Sequence, residues 1–386
     1  MMDWPQFSQE EIDAAANVLR SGKINYWTGG ECKTFEEEFA AHCQTKFAVS
    51  CMNGTAALEM ALKALEVGPG DEVIVTPRSF MASVSCVALA GATPVFADVC
   101  NDSGNLTEES IAKCITPKTQ AAIVVHIGGW PCEMDGIMGL AKANGFRVIE
   151  DCAQAHGGTY KGKPLGSMGD IGVYSFCQDK IMSTGGEGGM LVTNDRTFWK
   201  RAWAWKDHGK DFDTVFNHQH PPGFRWVHES MGTNARMTEI QAAIGRIQLC
   251  NLPQVRDQRT QIARRWHECT KESQLVRSPW PPDHSEGAFY RYVVYVVESR
   301  LNQGWTRDRI LNEANQAGVM CMQGSCSEIY REKAFDHTGW RPSEPLPVAK
   351  RLGETSITFL THPTQDLSTL GEAINLFKGI LDNACR

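Results

Sequence analysis

The sequence predicts an α/β protein, with a large domain built on a mixed, mainly parallel sheet and a smaller α+β domain after it. Three observations carry that expectation. From about residue 46, short β-branched runs alternate with helical patterns, as in a parallel sheet covered by helices. The chain has 386 residues, more than one core usually serves. Near residue 250 the alternation stops, which places the large domain at 1–250 and the small one at 251–386.

The elements follow in order. Residues up to Gly22 form an amphipathic helix pattern that ends at that glycine. Strands are expected at Phe47 to Cys51, Glu72 to Thr76, Thr93 to Val99, Ala121 to Ile127, Phe146 to Asp151, Ile171 to Cys177 and Gly189 to Thr193. Helices fill most gaps: one begins near Thr55 with apolar residues on one face, and another runs from Glu133 to Asn144 and stops at Gly145. Met237 to Leu249 and Val255 to Glu272 read as two helices parted by Leu252-Pro253. Beyond them lie a strand at Tyr290 to Val297, a helix at Thr306 to Ala317 and a terminal helix at Leu367 to Ala384.

Composition narrows the function without naming it. Hydrophobic residues make up 42% and charged residues 22%, as in soluble globular enzymes. A net charge of -7 argues against a nucleic-acid binder, which presents a basic stripe to phosphates. No apolar run is long enough to span a bilayer, and the amino terminus lacks a signal-peptide core, so a cytoplasmic location is expected. The 14 cysteines are scattered through apolar segments and read as reduced thiols. Cys321 and Cys326 lack the second pair or histidines of a zinc site, so no metal is expected.

Three segments at expected strand ends carry chemistry, where an open α/β sheet leaves a crevice. Cys51 to Thr55 joins a strand to a helix, so its N–H groups and the helix dipole suit an anion; an ordinary turn has the same look. Asp151 ends the strand FRVIED and needs a partner, which either a protonated pyridine nitrogen or a structural arginine can supply. Lys180 ends SFCQDK ahead of the glycines of STGGEGG, where it is either a nucleophile able to form a Schiff base or a surface lysine. Residues 157–163 mimic the spacing of a phosphate-binding loop, but Pro164 stands where magnesium needs a hydroxyl; a hairpin turn is expected there instead.

Taken in order, NGTAAL, RSFMAS, EDCAQAHG, SFCQDK with GGEGG, and GTNARMTEIQAAIGRIQL resemble the DegT-type family of nucleotide-sugar aminotransferases over nearly the whole chain. The resemblance implies an aspartate-aminotransferase-like fold (fold type I) and a homodimer with shared active sites. It implies pyridoxal 5'-phosphate as cofactor, with Lys180 as the Schiff-base lysine and Asp151 as partner of the ring nitrogen. Phe80 would stack on the ring and Gln154 would bond its phenolic oxygen. Gly54, Thr55 and Ser175 would hold the phosphate, which Asn234 of a second copy would also reach. Arg236 would either orient the amino donor or pair within the interface. Sister enzymes that dehydrate sugars carry histidine where Lys180 stands, so lysine implies amino transfer.

KINYWTGGECKTFEEEF, SFCQDKIM and the insertion KDHGKDFDTVFNHQHPPGFRWVHES are similar to transaminases of the bacillosamine pathway. That implies transfer from glutamate to C4 of a UDP-linked 4-keto-6-deoxy-N-acetylhexosamine. Asn25, Tyr26 and Trp27 would line the sugar pocket, approached by Gln323, Ser325 and Ser327; solvated loop positions are the other reading. In the insertion, which also holds Lys206, Lys210, His218 and His220, His208 and Arg225 are the candidate nucleotide contacts. His126 and His362 are expected to be structural. The alternatives kept open are amination of a GDP- or dTDP-linked sugar or of C3, and a protein that binds pyridoxal phosphate without turnover.

Overall fold

The computed structural model describes residues 4–385. Seven strands form the main sheet: β1 (Phe47–Cys51), β2 (Glu72–Val75), β3 (Thr93–Phe96), β4 (Thr119–Val125), β5 (Arg147–Asp151), β8 (Ile171–Ser175) and β9 (Gly189–Thr193). Between β5 and β8, the strands β6 (Thr159–Tyr160) and β7 (Lys163–Pro164) make the hairpin expected there, turning at Lys161 (φ 49°) and Gly162 (φ 74°). The main order is β1-β9-β8-β5-β4-β2-β3. Strands β3, β2, β4, β5 and β8 pair in parallel, and β9 runs antiparallel to both β8 and β1.

The sheet is apolar on both faces because helices cover both. Along β4, Ala122 and Val124 join the core that includes Phe35, Phe39, Met134 and Ile137, whereas Ala121, Ile123 and Val125 join the opposite core with Leu58, Leu62 and Trp203. The helices α1 (Gln9–Ser21), α2 (Glu31–His42), α3 (Gly54–Ala64), α4 (Ala82–Leu89), α5 (Glu108–Ala112), α6 (Met134–Asn144), α7 (Arg196–Lys206) and α8 (Phe212–Phe216) belong to this region. Helices α1 and α6 end at Gly22 and Gly145, both left-handed, as expected from sequence.

The two helices expected on either side of Pro253 are one: α9 runs from Glu239 to Thr270. Proline forfeits its own N–H bond and strains the preceding turn, at about 3 kcal/mol. Burial of Leu249 and Leu252 on one side, and of Ile262, Ala263 and Trp266 on the other, offsets that cost. Residue 250 therefore lies inside a helix that runs into a second core.

That core lies against an antiparallel sheet of β10 (Val276–Arg277), β12 (Arg291–Val296), β14 (Ser356–Leu360) and β13 (Cys321–Met322). The short β11 (Ser285–Glu286) pairs with β6 instead. Helices α10 (Arg307–Gln316), α11 (Pro347–Thr355) and α12 (Leu367–Ala384) complete the carboxyl-terminal part. Trp266 stacks on Phe359 with ring centroids 3.9 Å apart, and Phe377 meets Phe359 edge-on at 4.9 Å. Among the described residues, no helix is long and apolar enough to cross a membrane.

Candidate active site

A cavity of about 760 Å³ opens at the carboxyl ends of β2, β4, β5 and β8. It is lined by Gly54, Thr55, Phe80, Asp151, Gln154, Ser175, Lys180 and Ser325, all of them singled out from sequence.

Its floor begins at α3. Asn53 caps this helix by accepting the Ala56 N–H at 2.9 Å, which leaves the first-turn N–H groups of Gly54 and Thr55 without an intrahelical acceptor. Both residues line the cavity at the positive end of the helix dipole, where an anion is favoured. Ser175, at the end of β8, lines the cavity beside them. A Cβ at position 54 would lie 2.6 Å from Ser175 Cβ, so only glycine lets helix and strand approach this closely.

Asp151 is buried at the end of β5. Its Oδ2 accepts from Ser83 Oγ at 2.8 Å and its Oδ1 from the Ala153 N–H at 3.1 Å, and Ser83 Oγ lies 3.0 Å from Ser79 Oγ. Gln154 gives its Oε1 to the Gly128 N–H at 2.7 Å, so its amide nitrogen is the end able to donate into the cavity. Phe80 lines the cavity and is 69% exposed, so its ring is free to stack on a flat group.

Lys180 sits on a loop doubled back by its glycines. The Gln178 N–H donates to Gly186 O at 2.9 Å, and Gly186 adopts φ 127°, a conformation closed to other residues. The Lys180 carbonyl accepts from Trp4 Nε1 at 2.9 Å, and the side chain is only 15% exposed. Its Nζ lies 3.6 Å from Asp179 Oδ1 and 5.2 Å from the centre of the Tyr290 ring. An amine, a buried carboxylate, two free N–H donors and an aromatic face thus share one cavity. That donor set fits a phosphorylated pyridine aldehyde.

The remaining candidates lie elsewhere in the chain. Asn234 is exposed, paired through a backbone bridge with Asp207 and away from this cavity. Tyr26 is buried, its hydroxyl donating to Glu36 Oε2 at 3.2 Å and accepting from Trp203 Nε1 at 3.3 Å, so it is a core residue and does not face the pocket. Trp27 packs edge-on against Trp203, and Asn25 caps the local turn through the Trp27 N–H. Ser327 is buried and accepts from Arg78 Nη1 at 2.7 Å, and Gln323 is exposed with its carbonyl taken by Ser356. His208 and Arg225 are exposed. Lys206 is not part of a basic loop: it ends α7, fully buried, 2.8 Å from Glu36 Oε1. Arg236 pairs with Asp207 of its own chain at 2.7 Å.

His126 is structural, as expected. Its Nδ1 accepts the Cys132 N–H at 2.9 Å, which puts the ring proton on Nε2 facing Glu150 Oε2 at 3.1 Å. Burial works against the Glu150 carboxylate, but His126 and the N–H groups of Gly169 and Gly166 outweigh it and hold its pKa below the ordinary value. Cys152 completes a buried His-Glu-Cys group, but the lone pairs of His126 and Glu150 are already committed to these bonds.

Spacing did not reveal Arg78, Ser83 and Asp179, which lie inside the quoted motifs, or Tyr290 and Arg291, which reach the site from a segment distant in sequence. Polar residues beside the motif residues, such as Ser83 in RSFMAS, were the available signal.

Comparison with known proteins agrees with this geometry. The model of the DegT/DnrJ/EryC1/StrS aminotransferase family matches residues 5–374. The chain is 41% identical over 378 residues to GDP-perosamine synthase of Escherichia coli O157:H7, covering 97% of each chain. It is 35% identical over 348 residues to UDP-N-acetyl-3-dehydro-alpha-D-glucosamine 3-aminotransferase of Acidithiobacillus ferrooxidans, covering 89% of this chain and 87% of that one. The solved structure of an aminotransferase from Psychrobacter cryohalolentis superposes with a TM-score of 0.97 at 51% identity, covering 99% of both chains. The fold is that of fold type I, and the family's cofactor is pyridoxal 5'-phosphate, to which the cavity's donors are suited. The chain is thus a sugar-nucleotide aminotransferase that uses pyridoxal phosphate, and it belongs to the DegT/DnrJ/EryC1/StrS aminotransferase family.

Proposed function

We propose that the enzyme transfers the amino group of glutamate to C4 of a UDP-linked 4-keto-6-deoxy-N-acetylhexosamine, yielding the 4-amino sugar and 2-oxoglutarate. One observation carries the amino-transfer part: Lys180, Asp151 and the free N–H groups of Gly54 and Thr55 meet around one cavity. The substrate part is supported by the similarity of residues 23–39 and 206–230 to bacillosamine-pathway transaminases.

In this reading Lys180 Nζ is the residue that would hold the cofactor, and its amine would move the substrate proton as base and then acid. The Asp151 carboxylate keeps the ring nitrogen protonated, with Ser83 fixing its orientation. Gly54, Thr55 and Ser175 bind the phosphate, Phe80 stacks on the ring, and the Gln154 amide donates to the ring oxygen. When bound, pyridoxal phosphate supplies the aldehyde that accepts the amino group and a ring that delocalises negative charge from the carbon losing its proton. Ser325 belongs to the sugar side, with Gln323, Asn25 and Trp27 at its edge, whereas Tyr26 and Ser327 are held in the core and do not contact the sugar. His208 and Arg225 contact the nucleotide.

A homodimer with shared sites is part of the same reading. Phe224, Trp226 and Met231 are 78%, 86% and 97% exposed, an apolar patch that a second copy would cover while bringing Asn234 to the phosphate. Free thiols throughout suit a reducing cytoplasm. Sedimentation should give the mass of two chains.

The relatives' names favour a second reading for the acceptor: one is named for making GDP-perosamine and another for aminating C3 of a UDP-linked 3-keto sugar. A panel of keto sugar nucleotides with glutamate, followed by 2-oxoglutarate formation, separates the two. Turnover of UDP-linked 4-keto sugars supports the proposal. If these are inert while GDP-linked or 3-keto sugars react, the acceptor assignment is wrong.

A further inference from the structure

We propose that Asp179 and Tyr290 act as a positioning pair for Lys180, holding its amine on the cavity side whenever it is not covalently engaged. The inference rests on the reading of Lys180 given above.

Two segments far apart in sequence build the pair. Asp179 immediately precedes Lys180, and the Tyr290 hydroxyl donates to Asp179 Oδ2. The other carboxylate oxygen, Oδ1, faces Lys180 Nζ at 3.6 Å. Both residues line the cavity, although the Asp179 side chain is half exposed and could otherwise turn to solvent. Tyr290 is fixed from behind: Thr361 Oγ and Arg291 Nη1 both donate to its carbonyl at 3.1 Å, and the preceding Phe289 is held at φ 47°. Such a conformation persists only where surrounding contacts impose it. The Arg291 guanidinium lies 4.3 Å from the Tyr290 ring centre, keeping the ring in place.

The geometry attracts the amine without capturing it. At 3.6 Å the ammonium feels the carboxylate, yet the separation exceeds a good N–H···O bond, so the amine stays free to swing toward the cofactor. Among the described residues no other carboxylate lies within 4.0 Å of it. Asp151 is engaged by Ser83, and Glu187 faces Cys177 Sγ at 3.8 Å. Arg259 and Arg291 share the amine's sign of charge, and His156 is uncharged. Burial also pushes the Tyr290 phenol upward, so it remains a donor to Asp179 across the working pH range.

The test uses the full chain stripped of cofactor. Covalent capture of pyridoxal phosphate is followed by its visible band, and non-covalent binding by pyridoxamine phosphate, which cannot bond to Lys180. Asp179→Asn and Tyr290→Phe should slow capture and lower kcat of the reloaded enzyme by up to about a hundredfold, the scale of a reacting group misplaced by about 1 Å. KM for both substrates, pyridoxamine phosphate affinity and the melting temperature should stay at wild-type values, and Asp179→Glu should restore part of the capture rate. Wild-type capture rates in both variants would overturn the proposal, as would an equal loss of pyridoxamine phosphate binding, which would mark a structural role. The underlying site reading fails separately: it requires that Lys180→Ala abolish capture that the wild type displays.

Discussion

Gly54 and Ser175 approach so closely that a side chain on the first would overlap the Cβ of the second. The contact joins the start of α3 to the end of β8 and shapes the end of the cavity where an anion is favoured. Gly54→Ala must therefore push the helix away from the strand, costing about 1–3 kcal/mol and widening that end. A lower melting temperature together with weaker retention of pyridoxal phosphate in dialysis is expected. Full retention at wild-type stability would show that this end of the cavity is not built on the contact.

Asp151→Asn keeps the shape of the side chain but removes its charge. With Ser83 still donating, the fold should hold while kcat falls about 100-fold or more, the scale of losing an essential proton partner. Ser83→Ala removes one donor to a charged acceptor, worth about 1.5–3 kcal/mol, and should give a smaller loss of kcat. Steady-state kinetics with glutamate decide both, and an unchanged kcat in Asp151→Asn would exclude this carboxylate as the ring partner.

The pair Lys206–Glu36 is structural. Glu36 Oε1 also accepts from the Ser50 N–H and Oγ at 2.8 Å each, tying α2, β1 and α7 together. Lys206→Met strands the carboxylate and is expected to destabilise the chain by about 3 kcal/mol or more in urea unfolding. KM for the sugar nucleotide should not change in the fraction that remains folded. A raised KM at unchanged stability would instead place Lys206 at the substrate site.

His156 governs part of the acid sensitivity. Burial first, and Lys180 second, push its pKa from 6.5 down to about 3, and among the described residues neither ring nitrogen has a hydrogen-bond partner. The unfolded chain takes up a proton below pH 6.5 that the folded chain refuses, so the stabilising contribution is complete above pH 6.5 and lost as pH falls toward 3. The loss should amount to about 1.4 kcal/mol per pH unit at most. His156→Phe, which suits the neighbouring rings of Tyr174 and Phe176, should flatten stability between pH 6.5 and 4.5. The same slope in wild type and variant would show that the protons enter elsewhere.

Much of the fold was legible because its signals are local. Strands Phe47–Cys51 and Gly189–Thr193 and helix Leu367–Ala384 fall where alternation and amphipathic spacing put them, and Gly22 and Gly145 end their helices. Pro253 misled for the opposite reason: a local breaker was overruled by burial on both sides of it. Tyr26 and Lys206 look polar and available in sequence, but Tyr26 meets Glu36 and Trp203, and Lys206 meets Glu36 from far along the chain, in contacts that bury both.

The order of residues by itself determined which segments become strands and helices, and that Asp151 ends a strand and Gly54 begins a helix, because backbone periodicity and capping act over a few residues. Tertiary structure decided that Ser83 meets Asp151 and that Tyr290 meets Asp179. Those meetings depend on how sheet and helices pack, and packing energy is summed over contacts between residues that no short stretch of sequence contains.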